Sequence, residues 1–431
     1  MTNLPSQKLY EVAGQYSPGF MYIMLDSMEH NVLFHEYIHH IQNVTQFYNL
    51  HYFLALKSYF LDLAFAKKGS LDLGREFKET YQKTLEIACG SFGERIDICY
   101  SNVTIDSVTY TKINEFPAIL KVQLTTDEKK HVYKFGTIAI QEGLANILEA
   151  RFYPQNAANP FLTYNICELI ILHHCPKLKD NKIAIVCIME LSMLSAIPIN
   201  TFIHLMHFAK SLDKKDVSKG DLLDAFLSLS TTDVLADKPT QLTIPEICEA
   251  YIERIDRDIN IFYDALRMQD EPKHNIFAEW QKDILKRGLL YRRDNPTLFS
   301  DMASLTIKDS SPLYDVIKFP LVVLGDYSDI HFTDETINSN LLLFLGEEEV
   351  FFKLQGDTNP CRLINICEKY VRNIGRTGTA NMSVLPLEDE DKVSMKDVRD
   401  NSCLNPANRD RNNNLCPFSF TWRKAVSPFK N

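Results

Sequence analysis

The segment from Asp26 to about Leu50 constrains the fold most, because it carries a long helical pattern with several ionisable residues at its centre. Its apolar residues recur every three or four positions, at Leu33, Tyr37, Ile41, Val44 and Tyr48. This is the spacing of the buried face of an α-helix, and Ser27 is a suitable N-cap. The sequence therefore predicts one long helix here.

Within that helix, residues 33–41 read Leu-Phe-His-Glu-Tyr-Ile-His-His-Ile, which places His35 and His39 one turn apart on one face. Two imidazoles at i and i+4 can bind the same metal ion. Glu36 is turned about 100° around the helix, where its carboxylate can reach a metal-bound water without binding the metal. The pattern predicts a hydrolytic metal site, and the alternative is a partly buried helix with ordinary histidines.

This pattern resembles that of the gluzincin metallopeptidases, in which His-Glu-x-x-His supplies two zinc ligands and a glutamate on a later helix supplies the third. Residues 136–150 predict such a helix. The resemblance implies a single catalytic Zn²⁺ with Glu142 as its third ligand. It also implies that Asn146, one turn later, holds a ligand histidine through the other ring nitrogen. Glu149 lies on the same polar stripe and is the reserve ligand.

The resemblance further implies zinc-dependent hydrolysis of peptide bonds. Zinc would lower the pKa of its bound water, and Glu36 would take the water's proton and pass it to the leaving amine. An oxyanion also needs a hydrogen-bond donor, for which Tyr133, His204 and His207 are candidates, with ordinary packing as the alternative for each. Arg292 and Arg293 are candidates for binding a substrate carboxylate, or are solvated surface charges.

The periodicity of the remaining chain predicts an α+β protein that is predominantly α-helical. In the expected architecture, the helix with His35 packs against the helix with Glu142. Residues 96–135 change to the two-residue period of strands, which predicts a small antiparallel sheet inserted between helices. In many gluzincins an N-terminal sheet binds extended substrate, and only 34 residues precede His35. We therefore expect the hairpin that ends at Phe135 to offer the substrate-binding edge.

A change of pattern near residues 290–296 predicts a domain boundary. Residues 1–286 are expected to form the zinc metallopeptidase catalytic domain, and residues 287–431 a mixed α/β accessory or regulatory region. In this second region, residues 320–325 and 340–346 predict strands and residues 361–373 a helix. Elsewhere, His173, His174 and Cys175 are consecutive residues whose side chains point in different directions, which disfavours a shared metal ion.

Composition limits the partners. The chain has 46 Lys and Arg against 56 Asp and Glu, a net charge of −10, so we expect no nucleic-acid or membrane partner. The most apolar stretch, residues 183–199, contains Glu190 and Pro198 and predicts a core helix. The N-terminus lacks a signal-peptide pattern, and the 10 cysteines are scattered through apolar runs, so we expect a cytoplasmic protein.

We expect a protein or peptide substrate and a regulatory protein partner. Two alternatives remain: a non-catalytic zinc-containing interaction or sensor protein, and a zinc hydrolase that acts on a non-peptide amide.

Overall fold

The computed structural model describes residues 13–67, 85–91, 103–113, 116–126, 129–155, 161–213, 216–229, 243–266, 272–304, 317, 320–325, 329–331 and 342–355. Within these ranges the chain is mostly helical and contains a small antiparallel sheet, as the sequence predicts. No described helix is both long enough and apolar enough to cross a membrane.

The helices are distributed along the whole described chain, with strands both before and between them. They are α1 (His30–Thr45), α2 (Phe47–Lys67), α3 (Thr137–Phe152), α4 (Leu162–His174), α5 (Lys182–Ser192), α6 (Pro198–Ser211), α7 (Lys219–Ser228), α8 (Ile244–Ala265), α9 (Pro272–Asp294), α10 (Leu298–Ser304) and α11 (Leu342–Leu354). A 3₁₀ turn, Pro176–Leu178, joins α4 to α5, and residues 85–89 are also helical.

Two sheets accompany the helices. The first has the strands β1 (Gly14–Ser17), β2 (Tyr22–Leu25), β6 (Leu321–Leu324) and β7 (Asp329–His331), in the order β1-β2-β6-β7. Its β2–β6 pair is parallel and its other pairs are antiparallel. The second sheet is the predicted antiparallel one, with β3 (Val103–Ile113), β4 (Phe116–Thr126) and β5 (Lys129–Phe135) in sequence order.

The long helix predicted around His35 is interrupted. It begins at His30, with Glu29 rather than Ser27 at the N-cap position, and ends at Thr45. Gln46 is extended, and α2 then starts a new direction at Phe47. Tertiary contacts stabilise this break, because the Thr45 carbonyl accepts a hydrogen bond from Arg292 and the Tyr48 N–H donates to Met193 O. Backbone groups that a continuous helix would pair internally are thus satisfied from outside.

The C-terminal elements differ most from the sequence-based prediction. A strand is present at Leu321–Leu324, but residues 342–346, predicted as strand, begin α11 instead. Short apolar runs do not distinguish a buried helix from a buried strand, which explains the error. The helix predicted at 361–373 lies outside the described residues. α9 continues unbroken through residues 286 and 287, and β6 pairs with β2. The division of the chain into a catalytic domain and an accessory region stays a prediction.

α1 contacts β1, α3 and the C-terminal part of α9. At the crossing with α9, a Cβ added to Gly288 would come within 2.2 Å of Val44 O, so only glycine allows this approach. Two turns before Val44, β1 packs so closely on α1 that a Cβ at Gly14 would lie 2.9 Å from Glu36 Cγ. These contacts fix the position of α1, and with it the position of His35 and His39.

Candidate metal centre

α1 and α3 bring three potential metal ligands together. His35 Nε2 lies 3.2 Å and His39 Nε2 lies 3.3 Å from the same carboxylate oxygen, Glu142 Oε2. One ligand atom from each residue falls within 4.8 Å of the others, so the group could hold a metal ion. The three side chains are 10%, 13% and 16% exposed, respectively, which leaves the group enclosed but accessible from one side.

The other ring nitrogen of each histidine has its own hydrogen-bond partner. His35 Nδ1 lies 2.9 Å from Glu149 Oε2, and His39 Nδ1 lies 2.9 Å from Gln42 Oε1. The Gln42 amide nitrogen donates to Gln141 O, which fixes the amide oxygen toward His39. Both partners are acceptors, so both histidines donate from Nδ1.

Because each Nδ1 atom has its own partner, the Nε2 atom of each histidine is the one that faces Glu142. If the imidazoles are neutral, the two Nε2 lone pairs and the Glu142 carboxylate are all electron-pair donors within 4.8 Å of one another. Such a cluster repels itself unless a cation lies within it. The donor set of two imidazoles and a carboxylate therefore fits a divalent metal ion.

Protonation of the histidines is the other way to relieve this repulsion. Burial disfavours the charged form of His35, but its hydrogen bonds to Glu142 and Glu149 outweigh burial and raise its pKa to about 10. Burial acts to raise the pKa of Glu142 as well, but the charge of His39 and the hydrogen bonds from both histidines hold that pKa well below its usual value. The centre is thus strongly attractive to positive charge.

Glu36 lies beside the group without joining it. The residue is 7% exposed, and burial raises the pKa of its carboxyl despite the opposing charges of His39 and His35. A backbone hydrogen bond from Tyr16 on β1 holds the carboxylate. A buried carboxylate with a raised pKa is a better proton acceptor than a solvated one, as a general base requires.

Asn146 does not take the position predicted for it. Its amide donates to Tyr164 O and Asn165 Oδ1 at 3.5 and 3.3 Å, so it links α3 to α4. Glu149, the predicted reserve ligand, is instead the residue that holds His35, and Asn31 Nδ2 donates to its second oxygen at 2.9 Å.

Of the three predicted oxyanion donors, Tyr133 is buried in the core, and His204 and His207 are exposed on α6. Tyr133 is fully buried on the core face of β5, a position that does not suit a group meant to face substrate. His207 is exposed on α6, with its ring next to that of His174. His174 ends α4, ten residues or about 15 Å from Tyr164, which lies by the centre. His207 is therefore at the far end of α4 from His35.

Tyr164 is the site residue that the sequence did not reveal. Its ring centroid lies 6.0 Å from that of His35 at an interplanar angle of 75°. Burial and the nearby charges of Glu142, Glu36 and Glu149 raise the pKa of its phenol, so the hydroxyl keeps its proton. It is a partly exposed hydrogen-bond donor next to the predicted ligands. A tyrosine within the pattern of α4 carries no signal that would distinguish it from a packed aromatic residue.

The edge strand proposed for substrate is also partly occupied. Ser91 pairs with Lys134 on β5, because the Ser91 N–H donates to Lys134 O at 2.7 Å and the Lys134 N–H donates to Ser91 Oγ at 3.0 Å. The strand that contacts Glu36 is β1 of the other sheet, which the sequence analysis did not predict.

No protein-family model, curated protein or solved structure matches the chain. Any assignment of chemistry to the centre therefore depends on the geometry around His35, His39, Glu142 and Glu36.

Proposed function

We propose that this chain is a zinc-dependent peptidase of the gluzincin type. One observation carries the proposal: three ligand groups converge on one point, and the buried carboxylate of Glu36 lies next to them. Two histidines and one carboxylate, with the remaining position open to water, are the ligand set of catalytic zinc rather than of structural zinc, which is closed by four protein ligands.

When bound, zinc would lower the pKa of a coordinated water and polarise a substrate carbonyl. His35, His39 and Glu142 would hold the ion, and their Nδ1 partners Glu149 and Gln42 keep both imidazoles in the tautomer that offers Nε2. Both Nε2 atoms therefore face Glu142, as a shared ion would require.

Glu36 would act as the general base and then as the general acid. Its carboxylate is fixed by Tyr16 and enclosed by β1, so it accepts a proton from the attacking water at a defined position. The same group then protonates the leaving nitrogen of the substrate. A non-catalytic zinc scaffold has no need for a buried carboxylate at this position, because burying it costs free energy.

Tyr164 would supply the hydrogen bond to the substrate oxygen on which negative charge develops. It is a neutral donor beside His35, and it replaces Tyr133 and His207 in that role. Removing one such donor typically costs about 100-fold to 1,000-fold in kcat. We expect a loss of this order for Tyr164→Phe with zinc content unchanged.

Metal analysis of the purified protein, combined with a proteomic comparison of peptide termini, tests the proposal. We expect one zinc per chain in wild type and in Glu36→Gln, and termini that depend on an intact Glu36. We expect Glu142→Ala to lose the metal, because it removes the only carboxylate that faces both Nε2 atoms among the described residues.

Each other outcome contradicts a defined part of the proposal. Bound zinc without any difference in peptide termini would favour a scaffold, or a hydrolase that acts on a non-peptide amide. Two histidines and a carboxylate also suit ferrous iron, so iron in place of zinc would overturn the hydrolytic assignment. Equal retention of metal by Glu36→Gln and Glu142→Ala would remove Glu142 from the site.

A further inference from the structure

α1 presents two polar stripes with the same i, i+4, i+7 spacing to two different neighbours. The first stripe faces α3 and consists of His35, His39 and Gln42. The second stripe begins one residue later and consists of Glu36, His40 and Asn43. One residue corresponds to about 100° around a helix, so the second stripe points away from α3 and faces β1. The predicted metal centre explains the first stripe, and of the second it uses only Glu36.

His40 and Asn43 both bind one atom of β1, the hydroxyl oxygen of Tyr16. Asn43 Nδ2 lies 3.0 Å from this hydroxyl and 3.1 Å from Pro18 O. A carbonyl oxygen can only accept a hydrogen bond, so the Asn43 amide nitrogen donates to both oxygens. The Tyr16 hydroxyl therefore donates its own proton to His40 Nδ1, which lies 3.1 Å away. All three side chains are buried, so these bonds do not compete with bulk water.

The main chain of Tyr16 holds the Glu36 carboxylate. Successive side chains of a strand point to opposite faces, and Gly14 and Tyr16 are buried against α1 whereas Gln15 is exposed. The Tyr16 N–H donates to the Glu36 carboxylate, and a Cβ at Gly14 would lie 2.9 Å from Glu36 Cγ. β1 is the edge strand of its sheet, so its position over α1 depends on contacts of this kind rather than on a second neighbouring strand.

We propose that Tyr16 is a positioning residue for the general base. Its hydroxyl, held by His40 and Asn43, places the β1 main chain that fixes the Glu36 carboxylate. The inference rests on the proposed peptidase function, because a general base is needed only where a bond is cleaved. Tyr16 acts through Glu36 and takes no part in binding the ion. A change at its hydroxyl should therefore affect the rate of cleavage and leave zinc binding unaltered.

A double-mutant cycle tests the link between Tyr16 and Glu36 without any substrate. Tyr16→Phe removes the hydroxyl and keeps the ring, and Glu36→Met removes the acceptor and keeps a side chain of similar length. Urea denaturation of the four metal-free, full-length proteins gives their unfolding equilibrium constants. We expect loss of the hydroxyl to cost less when Glu36 is already replaced, with a departure from additivity of about threefold or more in those constants.

Tyr37→Phe is the matched control on the same helix. It removes a buried hydroxyl that donates to Ile317 O rather than to the second stripe. Its effect should add to that of Glu36→Met, since the Tyr37 hydroxyl does not place the main chain that binds this carboxylate.

The second readout is the rate at which the zinc-loaded protein cleaves a synthetic peptide that spans a junction found by the comparison of termini. We expect Tyr16→Phe to bind one zinc and to lower kcat about 10-fold to 100-fold, with KM near the wild-type value. His40→Asn keeps an acceptor oxygen close to the position of Nδ1 and should retain more activity than His40→Leu. These two variants decide the question if Tyr16→Phe does not fold.

The possible failures of the two proposals can be told apart. An additive cycle of Tyr16→Phe with Glu36→Met, or a wild-type kcat in Tyr16→Phe, would overturn the role of Tyr16 and leave the peptidase proposal intact. A coupled cycle in a protein that shows no cleavage dependent on Glu36 would overturn the peptidase proposal and support the link between Tyr16 and Glu36.

Discussion

The hydrogen bond between Glu149 and His35 leads to the first prediction. Glu149→Ala removes the acceptor on His35 Nδ1, so the ring loses both its fixed orientation and its tautomer. We expect zinc affinity to fall about 10-fold to 100-fold. Glu149→Gln keeps an acceptor oxygen and should lose less. Competition with a chromophoric chelator measures both affinities.

Asn146→Ala is the matched control on the same helix. Asn146 bonds to Tyr164 O and Asn165 Oδ1, so its loss should lower stability but leave zinc affinity near the wild-type value. Equal weakening by Asn146→Ala and Glu149→Ala would show that the structure assigns the wrong residue to His35.

The contrast between these two residues shows what the sequence could predict at this scale. The spacing of His35 and His39 is local to one helix and could be interpreted directly. Glu142, Asn146 and Glu149 share one stripe of α3, so each was a reasonable partner for α1. The crossing angle of α1 and α3 decides which of these three side chains contacts each histidine ring. No local sequence pattern encodes that crossing angle.

At the scale of elements, a buried ion pair joins four helices. Arg292 on α9 pairs with Glu190 on α5, and both side chains are fully buried. Arg292 also donates to Thr45 O and Thr45 Oγ1 at the end of α1, each at 3.2 Å. Glu190 accepts from the N–H groups of two residues at the start of α10, Phe299 and Ser300, at 2.8 and 2.9 Å. This network fixes the point at which α1 ends.

The two members of this pair could not be linked to each other from the sequence. Glu190 lies in the most apolar stretch of the chain, which correctly predicts a core helix. Arg292 was considered a substrate contact or a solvated charge, and both interpretations are wrong because the side chain is 0% exposed. A buried charge can be recognised only when its partner is known, and here the partner lies 102 residues away.

Arg292→Met should destabilise the protein by about 3–5 kcal/mol, because it leaves Glu190 charged, buried and without its counter-ion. Combining Arg292→Met with Glu190→Gln should cost less than the sum of the single changes, since the second change removes the uncompensated charge. Urea denaturation of the four proteins gives the coupling free energy. Additive losses would contradict a direct interaction between the pair.

Across the whole molecule, the C-terminal elements complete the fold around the predicted centre. β6 lies parallel to β2, and Glu347 on α11 lies 2.8 Å from Lys57 on α2, with both side chains almost fully buried. Glu348 accepts hydrogen bonds from Ser17 and Tyr22, at the two ends of the β1–β2 turn. The strand that contacts Glu36 is therefore held by residues beyond 340.

These contacts join segments that are far apart in the chain. For that reason the sequence predicted the fold class, but it predicted neither the first sheet nor the packing of the C-terminal elements into the same core. A helical pattern and a hairpin are local, so the α-helical majority and the β3–β5 sheet could be recognised. The β2–β6 pair joins segments about 300 residues apart, and such pairing leaves no periodic signal in either strand. The change of pattern near residues 290–296 predicted a boundary, and α9 ends within this stretch, at Asp294.

A chain that ends at residue 304 provides the test at this scale. It would lack β6, β7 and α11, expose the β2 edge and leave Lys57 buried without its carboxylate. We expect it not to unfold cooperatively and not to bind zinc stoichiometrically, as judged by thermal circular dichroism and metal analysis. Glu347→Ala in the full chain removes the partner of Lys57 and an acceptor of the Tyr263 hydroxyl, and should cost about 3–5 kcal/mol. A truncated chain with cooperative unfolding and full zinc content would show that residues 1–304 are an independent domain.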